Sequence, residues 1–191
     1  MGENVKNVSI IGGADGPTSF FIAGKNKNPG VLGRIKRTLR RKKRAKIEKK
    51  IVAAPHTPAE VVLYIKQKYH AVEVPSDERR YQEQQRCMKE ALIMQYRPEL
   101  LGESKKAEEI GNDVFPIDYH LYEIPYPDGG RITVEIENVR NKFGLSYSGN
   151  KKTVSQLRRI SKDISSFYGV TEDDIKNRSE RFQALVSTLC S

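Results

Sequence analysis

Nothing in this sequence is long and apolar enough to cross a bilayer as a continuous helix. A span needs about 20 consecutive apolar residues, and the longest candidate, Val8 to Gly24, is interrupted by Asp15, Pro17 and four glycines. Cysteine is scarce. Cys87 and Cys190 lie far apart, with no C-x-x-C pair and no His/Cys cluster beside them. A disulfide framework and a thiolate metal centre are therefore excluded, and the thiols read as reduced, in a cytoplasmic protein. No export signal is expected either, because the first apolar stretch is broken by Asp15-Gly16-Pro17 and the start holds Glu3. Tryptophan is absent, so bound nucleic acid would dominate the ultraviolet absorbance of the purified protein.

What is present in excess is positive charge, and it sits in one place. Between Arg34 and Lys50 eleven Lys or Arg residues stand against a single acid, Glu48, a net of +10 that equals the formal charge of the whole chain. The other residues balance. Val31 to Val52 has helical spacing, with Leu32, Ile35 and Leu39, then Ile47 and Ile51, making a narrow apolar stripe that fails at Lys43; Pro55 ends the helix. A charge run is often only a solvated face. Arg40 to Arg44, however, are five consecutive cations on little more than one turn, and their self-repulsion is relieved only by an anionic surface. Arg34, Arg37, Arg40, Arg41, Lys42, Lys43, Arg44 and Lys46 are the residues expected to bind a polyanion. Nucleic acid is the first choice, with an anionic membrane surface or an acidic protein as alternatives.

With 191 residues and 37% hydrophobic content the chain can bury a core. The expected fold class is α+β, mostly helical, with a small antiparallel hairpin or sheet preceded by an N-terminal motif and the basic helix. The expected parts are a motif and linker at 1–30, the basic helix at 31–54, a helical part at 55–102, and a hairpin followed by two helices at 113–191; residues 55–191 are expected to form one compact domain.

The motif is Val8 to Lys25, VSIIGGADGPTSFFIAGK. Two β-favouring clusters flank the turn-forming run Gly12 to Thr18. This run resembles the GGADGPT segment of the sodium-translocating decarboxylase β subunit, a membrane protein in which the aspartate matching Asp15 lies in a broken span and is assigned to sodium and proton handling. The resemblance covers Val8 to Ala23, and nothing after Lys25 resembles a span, so sodium transport is not expected. The chain as a whole resembles a set of short soluble bacterial proteins that open with this motif and carry stretches like AEVVLYIKQKYHAVEV, YQEQQRCMKEALIMQYRPELLG and GLSYSGNKK; the resemblance implies no particular activity. Gly12, Gly13, Asp15, Gly16 and Thr18 stand as a possible ligand loop, and Asp15 as a weak catalytic candidate against its simpler reading as an Asp-Gly turn residue.

Thr57-Pro58-Ala59-Glu60 is a capping box with proline at the first helical position, which predicts a helix from Pro58 to about Tyr69 with Val61, Val62, Ile65 and Tyr69 inward. His56 and His70 bracket it without a second ligand at metal spacing. Ala71 to Val74 predicts a short strand. Ser76-Asp77 is expected to cap a helix of about 20 residues, by its periodicity, with Tyr81, Gln85, Met88, Leu92 and Tyr96 inward and Pro98 at its end. Glu103 to Asn112 reads as an open loop.

From Ile117 the period is two. Ile117, Tyr119 and Leu121, then after Pro127-Asp128-Gly129-Gly130 the residues Ile132, Val134 and Ile136, predict a hairpin apolar on one face. Asp118, Glu123, Glu135 and Glu137 then fall on a solvated acidic face, which would hold the basic helix when no partner is bound. Carboxylates strung along a strand do not converge on a metal, and no metal or cofactor is expected. Phe143 to Tyr147 predicts a further strand, then Ser148, Asn150, Lys151 and Lys152 lead into a helix from Val154 to Tyr168. That loop reads equally as an anion site or as an ordinary N-cap. A last helix is expected from Thr171 to Cys190. The pair has a helix-turn-helix pattern, but its second helix begins with Glu172-Asp173-Asp174, which repels phosphate. No nucleophile and base stand at a family spacing, so the chain reads as a binding protein more than an enzyme.

Overall fold

The computed structural model describes residues 8–12, 31–102 and 106–191. They form an α+β fold. Strands β1 (Val8–Gly12), β2 (Val72–Glu73), β3 (Tyr119–Tyr126), β4 (Gly130–Glu137) and β5 (Lys142–Ser148) build one antiparallel sheet in the order β1-β5-β4-β3-β2. Around it run α1 (Val31–Glu48), α2 (Pro58–Tyr69), α3 (Arg79–Tyr96), α4 (Val154–Tyr168), α5 (Glu172–Asn177) and α6 (Glu180–Cys190). The start of the N-terminal motif thus belongs to the sheet, with Val8 opposite Tyr147 and Gly12 opposite Phe143.

Local chemistry sets the best-defined boundaries. Thr57 Oγ1 accepts from the Glu60 amide at 3.3 Å, and Thr57 N–H donates to Glu60 Oε2 at 2.7 Å, so α2 starts where its capping box stands. His70, at φ 54°, ends it in the left-handed region. Three expectations shift. α1 ends at Glu48, four residues before Val52. Glu78, not Ser76 or Asp77, precedes α3 and makes no side-chain cap. The last helix is two, because Arg178 turns left-handed at φ 51° and Ser179 caps a new start by accepting from Phe182 N–H.

The hairpin turn decides which side chains share a face. Tyr126 pairs with Gly130, which sets Ile124 opposite Ile132 and Tyr122 opposite Val134. Tyr119 and Leu121 therefore point away from Ile132, Val134 and Ile136, against the expectation of a single apolar face. Each side of β3 has its own cover. Val61 and Ile65 of α2 and Leu157, Ile164 and Tyr168 of α4 pack on Tyr122, Ile124, Ile132, Val134, Ile136, Phe143 and Leu145. Tyr81, Met88, Leu92 and Ile93 of α3 pack on Tyr119 and Leu121 from the other side. Ile93 takes the inward place expected of Tyr96, which is exposed. Ala107 and Ile110 are buried in this second cluster, so the segment after Lys106 is docked against α3 despite its polar composition.

The solvated acidic face is corrected in the same way. Glu137 is 0% exposed, and its carboxylate accepts from the Val139 and Arg140 amides at 3.1 and 2.9 Å, closing the turn into β5. Glu135 is half-buried opposite Gly144, and burial raises its pKa. Glu123 is paired with Arg80 and, at 4.0 Å, with Arg131. These carboxylates do not hold the basic helix, which packs elsewhere.

Candidate polyanion interface

The last two turns of α1 lie on α6. Ile51 packs against a cluster of Val170, Phe182, Leu185 and Val186. Arg44 Nε donates to Glu48 Oε1 at 2.9 Å and its Nη2 to Gln183 Oε1, while Arg178 Nη2 reaches the same Glu48 oxygen at 3.0 Å. Partial burial pushes the Glu48 pKa up, but the bonds from Arg178 and Arg44 outweigh it and hold the carboxyl below its ordinary value. The break in the apolar stripe at Lys43 now has a cause. Its ammonium donates to the carbonyl of Cys190 at 2.6 Å, at the negative end of α6, where a cation is stabilised.

The first half of the helix is used differently. Lys36, Arg37, Arg40, Arg41 and Lys42 are exposed, and among the described residues none reaches a carboxylate; Glu48 is the acid the helix engages. Ile35 and Leu39 stand between them, 50% and 60% exposed. Arg34 lies in the first helical turn, and Lys46 is exposed on the docked half. Of the eight predicted cations, Lys43 and Arg44 thus have acceptors on α6.

The other predicted sites resolve unevenly. Gly12 ends β1, while Gly13, Asp15, Gly16 and Thr18 lie outside the described residues. At the start of α4, Asn150 Oδ1 accepts from the Lys152 and Thr153 amides at 2.8 and 3.1 Å. These bonds close the turn that precedes α4, whose N-cap residue Thr153 makes no side-chain cap. Lys151 and Lys152 are exposed, and Ser148 is half-buried at the end of β5. The helix-turn-helix pattern fails on size, since the second helix, α5, has six residues with three acids in its first turn.

Sequence reasoning missed a polar knot between α2 and α4. Asp163 Oδ2 accepts from Lys68 Nζ at 2.9 Å, from the Tyr69 hydroxyl at 2.6 Å and from the Tyr64 hydroxyl. Burial, aided by the Asp163 charge, pushes the Tyr69 pKa up to about 12. Both tyrosines are neutral donors here, poor as nucleophiles or bases. Tyr64 stacks on Phe167 at 3.9 Å between ring centres, and Phe167 on His56 at 4.0 Å. His56 is thus part of a stack that ties the segment before α2 to α4. Spacing within α2 shows Tyr64 and Lys68 one turn apart, but nothing local announces Asp163, which is 95 positions from Lys68.

Among the described residues no group of His, Cys, Asp or Glu is placed to hold a metal ion, and no helix is long and apolar enough to cross a membrane. No protein-family model, curated protein or solved structure matches the chain.

Proposed function

We propose that this protein binds a polyanion, nucleic acid first, through the exposed N-terminal half of α1. One observation carries the reading: Lys36, Arg37, Arg40, Arg41 and Lys42 crowd less than two helical turns, by the usual ~3.6 residues per turn, and face no described carboxylate. Such a cluster is held against its own repulsion, and phosphates relieve it by releasing their condensed counterions. Contacts of this kind position a backbone and carry no base readout. The motif loop at Gly13 to Thr18 remains open to a small ligand, which would be a separate site.

The test is binding of labelled duplex DNA and RNA across a salt series. The parent protein should lose affinity steeply with salt, at about 0.7 to 0.9 logarithmic units per phosphate contact. Replacing Arg37, Arg40, Arg41 and Lys42 together by Gln should remove most of the affinity with no change in melting temperature. Retained affinity in that variant, or no binding by the parent, defeats the proposal.

The exposure of Ile35 and Leu39 supports a second reading, a helix lying on an anionic membrane with its apolar side chains in the headgroup boundary. Flotation with phosphatidylserine vesicles separates the two, because Ile35→Ser with Leu39→Ser would release the protein from vesicles and leave duplex binding intact.

A further inference from the structure

The end of α6 gathers cations from two helices. Lys43 of α1 donates to the carbonyl of Cys190 at 2.6 Å, and Lys162 of α4 donates to a main-chain oxygen of Ser191 at 2.9 Å. The two ammonium groups are neighbours. One turn before Lys162 on the same side of α4 stands Arg158, half-buried, whose Nε is shielded from water and has no hydrogen-bond partner among the described residues. Arg159 follows it, exposed.

Attraction to the carbonyl end of a helix accounts for part of this. The helix end stabilises cations placed on it, but a shielded, unbonded guanidinium nitrogen is a cost that those carbonyls do not meet. Burial, and after it the nearby Lys43 and Arg158, push the Lys162 ammonium below its ordinary pKa, which is how crowded like charges behave without an anion. An acceptor with several oxygens would satisfy all three groups at once.

We infer that Lys43, Arg158 and Lys162 form a phosphate-binding station through which nucleic acid held on α1 continues across the end of α6 onto α4. This rests on the reading of α1 as the nucleic-acid helix. The interface is then two basic rails, one on each side of the last turn of α6, and the partner is a backbone long enough to touch both. A duplex or a folded RNA meets that need through its regularly placed phosphates.

The experiment compares the parent with two variants, Arg158→Gln with Lys162→Gln on α4, and the α1 variant with Gln at positions 37, 40, 41 and 42. Each is titrated with labelled duplex DNA at several salt concentrations. The α4 variant should bind more weakly, with its salt slope reduced by about 2, near 0.9 for each phosphate no longer neutralised. Because Arg158 is half-buried, the variant is first checked for an unchanged circular dichroism spectrum, and Lys162→Gln alone serves where it is not; its slope should fall by about 1. A second measurement needs no variant: acetylation of the parent, read by mass spectrometry, should show Lys162 protected by duplex DNA while Lys66 of α2 reacts as before. If the α4 variants keep the parent's affinity and slope and Lys162 stays reactive, while the α1 variant has lost binding, the cations only cap α6 and the station is refuted, with the α1 reading intact. If the parent binds no nucleic acid, both fall. Protection of Lys162 by phosphatidylserine vesicles and not by DNA overturns the choice of partner.

Discussion

The two halves of α1 are built from the same kinds of residue and lead different lives. Ile35 and Leu39 fall within about 40° of one another on a helix that advances about 100° per residue, whereas Ile47 points about 100° away from them. The apolar side chains of the two halves therefore face different directions. α6 and the cluster around it receive Ile51, just past the end of α1, and α6 accepts from Lys43 and Arg44. Along the first half the surface of α6 has been left behind, and Lys36, Arg37, Arg40, Arg41 and Lys42 project outward with Ile35 and Leu39. A cation gains a structural role when a carbonyl or carboxylate lies under it, and among the described residues the cations of the first half have none.

The largest effect should come from removing the floor of the docked half. Phe182 is 2% exposed in the cluster that receives Ile51, and Phe182→Ala should cost about 3 to 5 kcal/mol of stability. Hydrogen exchange in the variant should show residues 43–51 losing protection first. Undiminished protection there would mean that α1 holds its place without α6, and the contrast between the halves would fail.

A smaller effect separates neighbouring arginines. Arg44→Ala removes bonds to Glu48 and Gln183 and should cost about 1 kcal/mol, while Arg40→Ala should stay within about 0.5 kcal/mol of the parent. Equal costs in urea unfolding would erase the distinction.

Acid sharpens the same point. The folded-state pKa of Glu48 is depressed below its ordinary value, so the stability it contributes is fully present above the unfolded pKa and is lost as pH falls through the folded one. The parent should therefore lose more stability than Glu48→Gln on going from pH 6 to pH 3, by less than about 1 kcal/mol for so exposed a network. An identical acid limb in the two proteins contradicts the role given to Glu48. The smallest effect belongs to the free half: Ile35→Ser with Leu39→Ser should change stability by no more than about 0.5 kcal/mol, and a larger loss in thermal melts would reveal a covering surface for that stripe.

How much of this was legible depended on distance along the chain. The start of α2 follows from Thr57, Pro58 and Glu60, three residues that touch one another, and its end at Tyr69 was legible with it. The turn at Pro127 to Gly130 announced the hairpin, but alternation on β3 was ambiguous because Tyr119 and Leu121 are as apolar as Tyr122 and Ile124. A strand covered on both sides has no polar face to reveal its phase. Glu135 and Glu137 looked solvated for the same reason, since no local pattern shows that α3 and the β4–β5 turn close over that side. Ala107 and Ile110 were hidden in a polar stretch whose burial depends on α3. At Asn150 two readings stood open, and its bonds to the Lys152 and Thr153 amides close the turn before α4 without capping the helix itself.

By itself the sequence determined that an excess of positive charge equal to that of the whole chain lies in one segment, Arg34 to Lys50, that this segment has helical apolar spacing broken at Lys43, and that no span-length apolar stretch accompanies it. Those properties are sums and periods, which need no folding to exist. Only the tertiary structure decided which cations have acceptors within the protein. Lys43 and Arg44 meet their partners 147 and 139 positions away, and the folded core of α4, α5 and α6 has to be in place before a carbonyl or an amide oxygen stands beneath either one.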